Sequence, residues 1–212
     1  MPTMMNDPRR RLTDAVAGRL ESGAAALRRY GRRVQGTGRT LILGGVRSGK
    51  SRHAEQLMTR HPHVVYIAAG LPPSDEDPEW AARVAAHRAR RPVSWRTVET
   101  SDLASALRDA RSPVLIDCLG TWASRVLDEV GAWDQQDGWE ARLDERLQAF
   151  VDIWQSTTVP VVAVSNEVGS GVVPPTPSGR IFRDVLGALN TAVAAHSDDV
   201  RLVVAGRVLD LR

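Results

Sequence analysis

Cysteine is nearly absent from the 212 residues: Cys118 stands alone, so no disulfide framework can form within the chain. No apolar run approaches the ~18 residues that a membrane span needs, and no basic-then-apolar leader opens the sequence. A cytoplasmic protein without a membrane span is therefore expected. Phe and Tyr occur only twice each, so six Trp carry most of the aromatic content, and core packing is the default for each of them. None of the five histidines stands at a metal-ligand spacing from Cys118 or from another histidine, which argues against a zinc site.

Lysine is as scarce as cysteine. Lys50 is the only one, against 27 arginines. Positive charge is also unevenly spread. Residues 1–39 hold nine arginines against Asp7, Asp14 and Glu21, a balance of +6. The whole chain is +3, so residues 40–212 sum to −3. The body is mildly acidic and the basicity belongs to the first 38 residues, so the composition does not describe a nucleic-acid-binding domain.

What is present divides into an extension and one domain. Residues 1–38 form a basic N-terminal extension, expected to be disordered over 1–9. Leu12, Val16, Leu20, Leu27, Tyr30 and Val34 then recur near helical spacing, and Gly36-Thr37-Gly38 ends the pattern. The extension reads equally as a solvated appendage or as a segment that docks on the body, meets a partner subunit or touches an acidic surface. Residues 39–212 alternate strand and helix. Apolar runs predict strands at 40–43, 64–69, 114–118, 159–165 and 201–205, with a weaker one at 93–98. Helical patterns lie at about 50–60, 78–91, 101–110, 119–130, 137–156 and 179–196. This order predicts an α/β fold: a mostly parallel sheet with helices on both faces. Pro72-Pro73 with Asp75, Glu76 and Asp77, and Pro174-Pro175-Thr176-Pro177, read as two mobile loops after strands.

Gly44-Gly45-Val46-Arg47-Ser48-Gly49-Lys50-Ser51 completes the pattern GxxxxGK[ST], with an expected strand before it and a helix after it. Glycines let backbone N–H groups turn inward around phosphates, and the helix N-terminus adds a favourable field. Lys50 would bridge the β- and γ-phosphates of ATP or GTP, and the Ser51 hydroxyl would ligate Mg²⁺. That the sole lysine occupies this position sets the motif apart from a chance glycine turn, since a compact ammonium suits the phosphate bridge better than a guanidinium fork. The architecture expected is a P-loop NTPase of RecA-like type.

Asp117 closes the apolar run Val114-Leu115-Ile116, the pattern of an acid that completes a magnesium site, although it could instead cap the following helix. No Asn-Lys-x-Asp guanine-reading sequence occurs, which separates the chain from Ras-like switches. Arg83 and His87 are four apart and share a helix face. By spacing alone, His87 is a surface residue on an arginine-rich helix. The pair acquires a purpose if a phosphate lies between them, with Arg83 holding oxygens and His87 attacking phosphorus.

The P-loop GGVRSGKSRHAE, the segment 79–99 (E-x-x-x-R-V-x-x-H-x-x-x-R-P-x-x-W-x-T-x-E), Asp117-Cys118, SNEVGSGVVP at 165–174 and FRD at 182–184 occur in one order. In this the chain resembles the bifunctional adenosylcobinamide kinase/adenosylcobinamide-phosphate guanylyltransferase family over about residues 40–207. The resemblance implies two reactions of cobalamin nucleotide-loop assembly. The aminopropanol hydroxyl of adenosylcobinamide is phosphorylated by a nucleoside triphosphate. GMP then passes from GTP, through a covalent histidine intermediate, to adenosylcobinamide phosphate. His87 matches that histidine by motif. The resemblance also implies a homo-oligomer, a trimer in the family. Trp80, the segment Leu119-Gly120-Thr121-Trp122 and Arg125 depart from the residues usual at their positions, and residues 1–39 match nothing in the family core.

Glu167 follows the strand at 159–165 and could assist Mg²⁺, take the acceptor's proton, or simply cap a turn with Asn166. Arg180 and Arg183 read as surface residues, and Asp184 as an i, i+4 partner of Arg180. Cys118 reads as a small packing residue. Trp122 and Trp133 could line a corrinoid pocket. Two other functions fit the phosphate loop: a kinase of another small hydroxyl substrate with an inert His87, and a non-enzymatic nucleotide-dependent interaction protein.

Overall fold

The computed structural model describes residues 38–72 and 77–211, together with 23, 24, 27 and 31. Most of the expected extension helix and the acidic tip of the first loop lie outside the described residues. Among the described residues seven strands are present: β1 (Arg39–Gly44), β2 (Val65–Ala68), β3 (Arg96–Glu99), β4 (Val114–Asp117), β5 (Val161–Asn166), β6 (Asp199–Val204) and β7 (Arg207–Leu211). They form one sheet in the order β3-β2-β4-β5-β1-β6-β7, parallel throughout except for the β6–β7 pair. Among them run α1 (Lys50–Met58), α2 (Pro78–Arg90), α3 (Leu103–Arg108), α4 (Leu119–Glu129), α5 (Trp139–Ser156) and α6 (Pro177–Ala195).

The central strands carry unbroken apolar runs at 41–43, 114–116 and 161–164 because both faces are covered there, and their alternation distributes side chains between two cores. Leu41, Leu43, Val114, Ile116, Val161 and Ala163 point into a larger core with α3, α4, α5 and α6. Ile42, Leu115, Val162 and Val164 point the other way, onto Ala54 and Met58 of α1 and onto Trp95. Trp122, Phe150 and Trp154 pack at tilted angles in the larger core with ring centroids 5.0 and 6.0 Å apart, and each is essentially buried. The helices thus cover both faces, as expected, but unequally.

At the rear of β1, Arg39 and Asp198 form a buried ion pair, and Arg39 also donates to the carbonyl of Gln155. Caps end the helices where the sequence supplies short polar groups. Asp102 accepts from Ser105 N, and Thr176 accepts from Gly179 N with Pro177 in the first helical position. The second proline-rich stretch is thus partly a helix start and not wholly a loop.

β7 was not foreseen. Ala205 and Gly206 both take positive φ (49° and 75°), the geometry of a tight hairpin turn, and β7 pairs back on β6. An alanine at the first turn position hides the Asn-Gly or Asp-Gly signal by which such hairpins are read. The expected strand at 93–98 is confined to Arg96–Glu99, because Pro92 to Trp95 form a turn closed by a bond from Trp95 N to Pro92 O.

Candidate active site

The carboxyl ends of the parallel strands align. Gly44 stands opposite Asn166, Asp117 opposite Ala68, and Ala68 opposite Glu99. Chain reversals at this edge open a cavity of about 390 Å³, where the switch in strand order predicts a ligand site. Its lining joins Lys50 and Ser51 of α1, Arg83 and His87 of α2, Asp117 and Cys118 after β4, and Asn166 after β5.

The phosphate loop leaves β1 under steric command. A Cβ on Gly44 would come within 2.5 Å of Ser48 Oγ and 2.6 Å of Val203 O, so only glycine lets the loop close against β6. Gly49 caps α1 with φ 96°, in the left-handed region that glycine enters freely. Behind the loop, Gly206 N in the hairpin turn donates to Ser48 O at 2.8 Å. Val46 is exposed at the loop's tip. Lys50, only 4% exposed, reaches over the loop and donates to Gly45 O at 3.1 Å. Burial lowers its pKa, with Arg83 adding to the effect and Cys118 and Asp117 opposing it.

Asp117 is the hub. Its Oδ1 accepts from Ser51 Oγ at 3.2 Å, and its Oδ2 accepts from Tyr66 Oη at 3.1 Å. His87 Nδ1 lies 3.3 Å from Oδ2. Burial pushes the Asp117 carboxyl up, but the hydrogen bonds and charge of His87, with the hydroxyls of Ser51 and Tyr66, outweigh it and hold the group below the usual range. Tyr66 is pushed far up by burial and by the adjacent Asp117, so its hydroxyl stays a donor. The helix cap that Asp117 might have been is supplied by Cys118, whose Sγ accepts from Thr121 N at 3.4 Å. That thiol is raised by burial first and by Asp117 second.

Glu55, the last residue of the segment GGVRSGKSRHAE and given no role of its own by the sequence alone, completes the cluster. It sits one turn along α1 from Ser51, buried, and accepts from Arg90 Nε and Nη2 at 3.0 Å each. Its Oε1 is 4.0 Å from His87 Nδ1. Helix spacing could have exposed this residue, since 51 and 55 share a face, but a glutamate four after the phosphate loop carries no chemistry until α2 folds over it. Ligand atoms of Glu55, His87 and Asp117 lie within 4.8 Å of one another. Arg90 already neutralises Glu55, so the hard-oxygen pair Ser51 and Asp117 is the better fit for Mg²⁺.

Glu167 belongs to the turn. Its Oε1 accepts from Gly169 N at 2.6 Å, and Asn166, not Glu167, lines the cavity. The contact with Gly169 N is the turn-capping one among the three roles open for Glu167. Asn166 is fixed from behind, its backbone carbonyl accepting from Asn190 Nδ2 at 3.0 Å. Gly120 makes room in front, where a Cβ would meet Asn166 Oδ1 at 2.7 Å. Arg180 donates to the carbonyls of Pro174 and Pro175, and Arg183 to that of Gly169, so both brace the loop before α6. Trp122 is in the core, its Nε1 donating to Ser101 O, and Trp133 packs against that core. The tryptophan that does line the cavity is Trp80, alongside Leu71, Val84, Val168 and Phe182.

A mostly parallel α/β sheet with a glycine-rich phosphate-loop sequence at its carboxyl edge defines the class first: a fold like those of P-loop NTPases. It superposes with a TM-score of 0.50 and 13% identity on an ATPase of a bacterial type III secretion system, covering 78% of this chain and 51% of that one, a likeness of fold alone. The family model for cobinamide kinase / cobinamide phosphate guanyltransferase matches residues 40–211. The chain is 39% identical over 180 residues to the bifunctional adenosylcobalamin biosynthesis protein CobU of Salmonella typhimurium, covering 78% of this chain and 95% of that protein. It is 38% identical over 179 residues to the bifunctional adenosylcobalamin biosynthesis protein CobP of Pseudomonas aeruginosa, covering 82% and 97%. The chain belongs to the cobinamide kinase / cobinamide phosphate guanyltransferase family.

Proposed function

We propose that the protein phosphorylates the aminopropanol hydroxyl of adenosylcobinamide and then, through a His87–GMP intermediate, guanylylates the product to adenosylcobinamide-GDP. The observation that carries this reading is the placement of His87. A helix that buries none of its residues in the core is nevertheless held so that its histidine enters the phosphate-loop cavity beside Lys50, Arg83 and Asp117. An inert surface histidine has no reason to be there. This favours the two-step enzyme over a plain small-molecule kinase and over a nucleotide-dependent docking protein.

The residues divide the work. Backbone N–H groups of residues 44–51 and the ammonium of Lys50 would hold triphosphate oxygens, with Arg83 on the cavity wall opposing the developing charge. Ser51 Oγ and Asp117 Oδ1 would hold Mg²⁺, which supplies charge neutralisation on the phosphates when bound. The His87 imidazole attacks the α-phosphorus of GTP through a ring-nitrogen lone pair, and pyrophosphate leaves. GTP and ATP are the substrates that feed these steps. The apolar wall formed by Leu71, Trp80, Val84, Val168 and Phe182 suits part of a large apolar acceptor. A homo-oligomeric assembly, a trimer, is proposed with this reading.

The test is to incubate the protein with Mg²⁺ and α-labelled GTP without cobinamide, beside His87→Ala and an α-labelled ATP control. Acid-labile, alkali-stable label from GTP that vanishes in the variant is expected. Absence of label in the wild type would leave a simple kinase as the better account.

A further inference from the structure

Which ring nitrogen of His87 carries GMP follows from what faces the other. Nδ1 lies 3.3 Å from Asp117 Oδ2 and 4.0 Å from Glu55 Oε1. Carboxylates only accept hydrogen bonds, so a neutral imidazole facing two of them carries its proton on Nδ1. Both acceptors are themselves fixed. Tyr66 and Ser51 donate to Asp117, and Arg90 grips Glu55 through two bonds of 3.0 Å. The ring therefore has one permitted tautomer, with the Nε2 lone pair directed away from the carboxylates.

From this geometry we propose that Asp117 and Glu55 are positioning residues for His87, and that GMP is carried on Nε2 and not on Nδ1. The inference rests on the guanylyl-transfer reading and adds to it a linkage and a role for Glu55. In the first displacement the Nε2 lone pair forms a bond to the α-phosphorus of GTP. The bond from that phosphorus to the bridging oxygen breaks, and pyrophosphate departs with the electron pair. The proton stays on Nδ1, and the positive charge that the ring gains is met chiefly by Asp117, since Glu55 is already paired with Arg90. In the second displacement a phosphate oxygen of adenosylcobinamide phosphate attacks the same phosphorus, the N–P bond breaks, and Nε2 recovers its lone pair. Asp117 thus divides its oxygens, Oδ1 toward Ser51 and the proposed ion, Oδ2 toward the histidine.

The full-length protein, charged with GTP and Mg²⁺, is digested at alkaline pH, and the guanylylated peptide is isolated for proton–phosphorus correlation spectroscopy. Phosphorus on Nε2 couples through three bonds to both Hε1 and Hδ2, whereas phosphorus on Nδ1 couples to Hε1 alone. Coupling to both protons is expected. Coupling to Hε1 alone, with the label still on His87, would overturn the tautomer inference and leave the guanylyl-transfer reading standing. A label absent from His87 would overturn both, and the parallel His87→Ala reaction separates that case.

Discussion

At the scale of single residues, the site turns on charges placed where water is scarce. Lys50 is the only lysine, is almost fully buried, and curls onto its own loop. An arginine there would present a wider, more rigid fork to a cradle cut for a point donor. Lys50→Arg is expected to lower kcat for both reactions by about 10²–10³-fold, the scale of losing one preorganised donor. Steady-state rates at saturating nucleotide, with circular dichroism as the folding control, check this. Glu167→Gln should behave in the opposite way. Its carboxylate accepts from Gly169 N outside the cavity, and a glutamine carbonyl can accept the same bond. Turnover near wild type is expected; a loss comparable with that of Lys50→Arg would restore Glu167 to the chemistry. The phosphate loop and Asp117 could be read from spacing, because each lies in a motif local in sequence, whereas spacing alone made His87 a surface residue and its role came with the family resemblance. The roles of Tyr66, Arg90, Glu55 and Asn166 could not be read so, because their partners arrive from other elements 35 to 51 residues away or, for Asn166, from behind through Asn190.

At the scale of elements, most boundaries follow local chemistry. Asp102 shows how. Its side chain accepts from Ser105 N at the start of α3, and this hydrogen bond lowers its pKa below the ordinary 3.8. A lowered folded-state value means that its stabilisation is present above about pH 4 and is lost as pH falls through the folded value. Asp102→Ala should cost about 1 kcal/mol at neutral pH, the usual worth of such a cap, and nothing once the wild-type carboxyl is protonated. Urea titrations of both proteins at pH 7 and near pH 3 measure the difference; a constant gap would contradict the assignment. α2 has a different character. It has no buried residue and is tied down by polar contacts, Arg90 to Glu55, Arg88 to Glu99 and His87 to Asp117. Its sequence signalled a helix plainly but gave no sign of what it would lie against, because an arginine-rich face reads as solvent-facing. β7 was hidden for a related reason: every residue in it is exposed, so no burial pattern marked it.

At the scale of the whole molecule, the matched region begins at residue 40, and the ion pair that seals the rear of the sheet begins one residue earlier. Arg39 and Asp198 are buried against each other. Asp198→Ala would leave a buried guanidinium without its main partner, and a loss of about 3–5 kcal/mol is expected in denaturant unfolding. Removal of residues 1–38, which spares Arg39, is expected to keep both activities; an extension that served as the working arm of a docking protein would take the function with it. The alternation of apolar runs and amphipathic segments made the parallel α/β sheet legible before any coordinates, since strands buried on both faces must be apolar at successive positions. Neither the hairpin edge nor the closure of α2 over the cavity was legible, because both depend on contacts rather than composition. Among the described residues, no helix is long and apolar enough to cross a membrane.

The central claim is that one cavity performs two separable reactions, and that His87 serves only the second. His87→Ala supplied with adenosylcobinamide, Mg²⁺, ATP and GTP tests it most directly, with corrinoid products resolved by chromatography. The account predicts accumulation of adenosylcobinamide phosphate with no adenosylcobinamide-GDP. Formation of adenosylcobinamide-GDP at the wild-type rate would contradict it, as would loss of the phosphorylation step in a variant that remains folded.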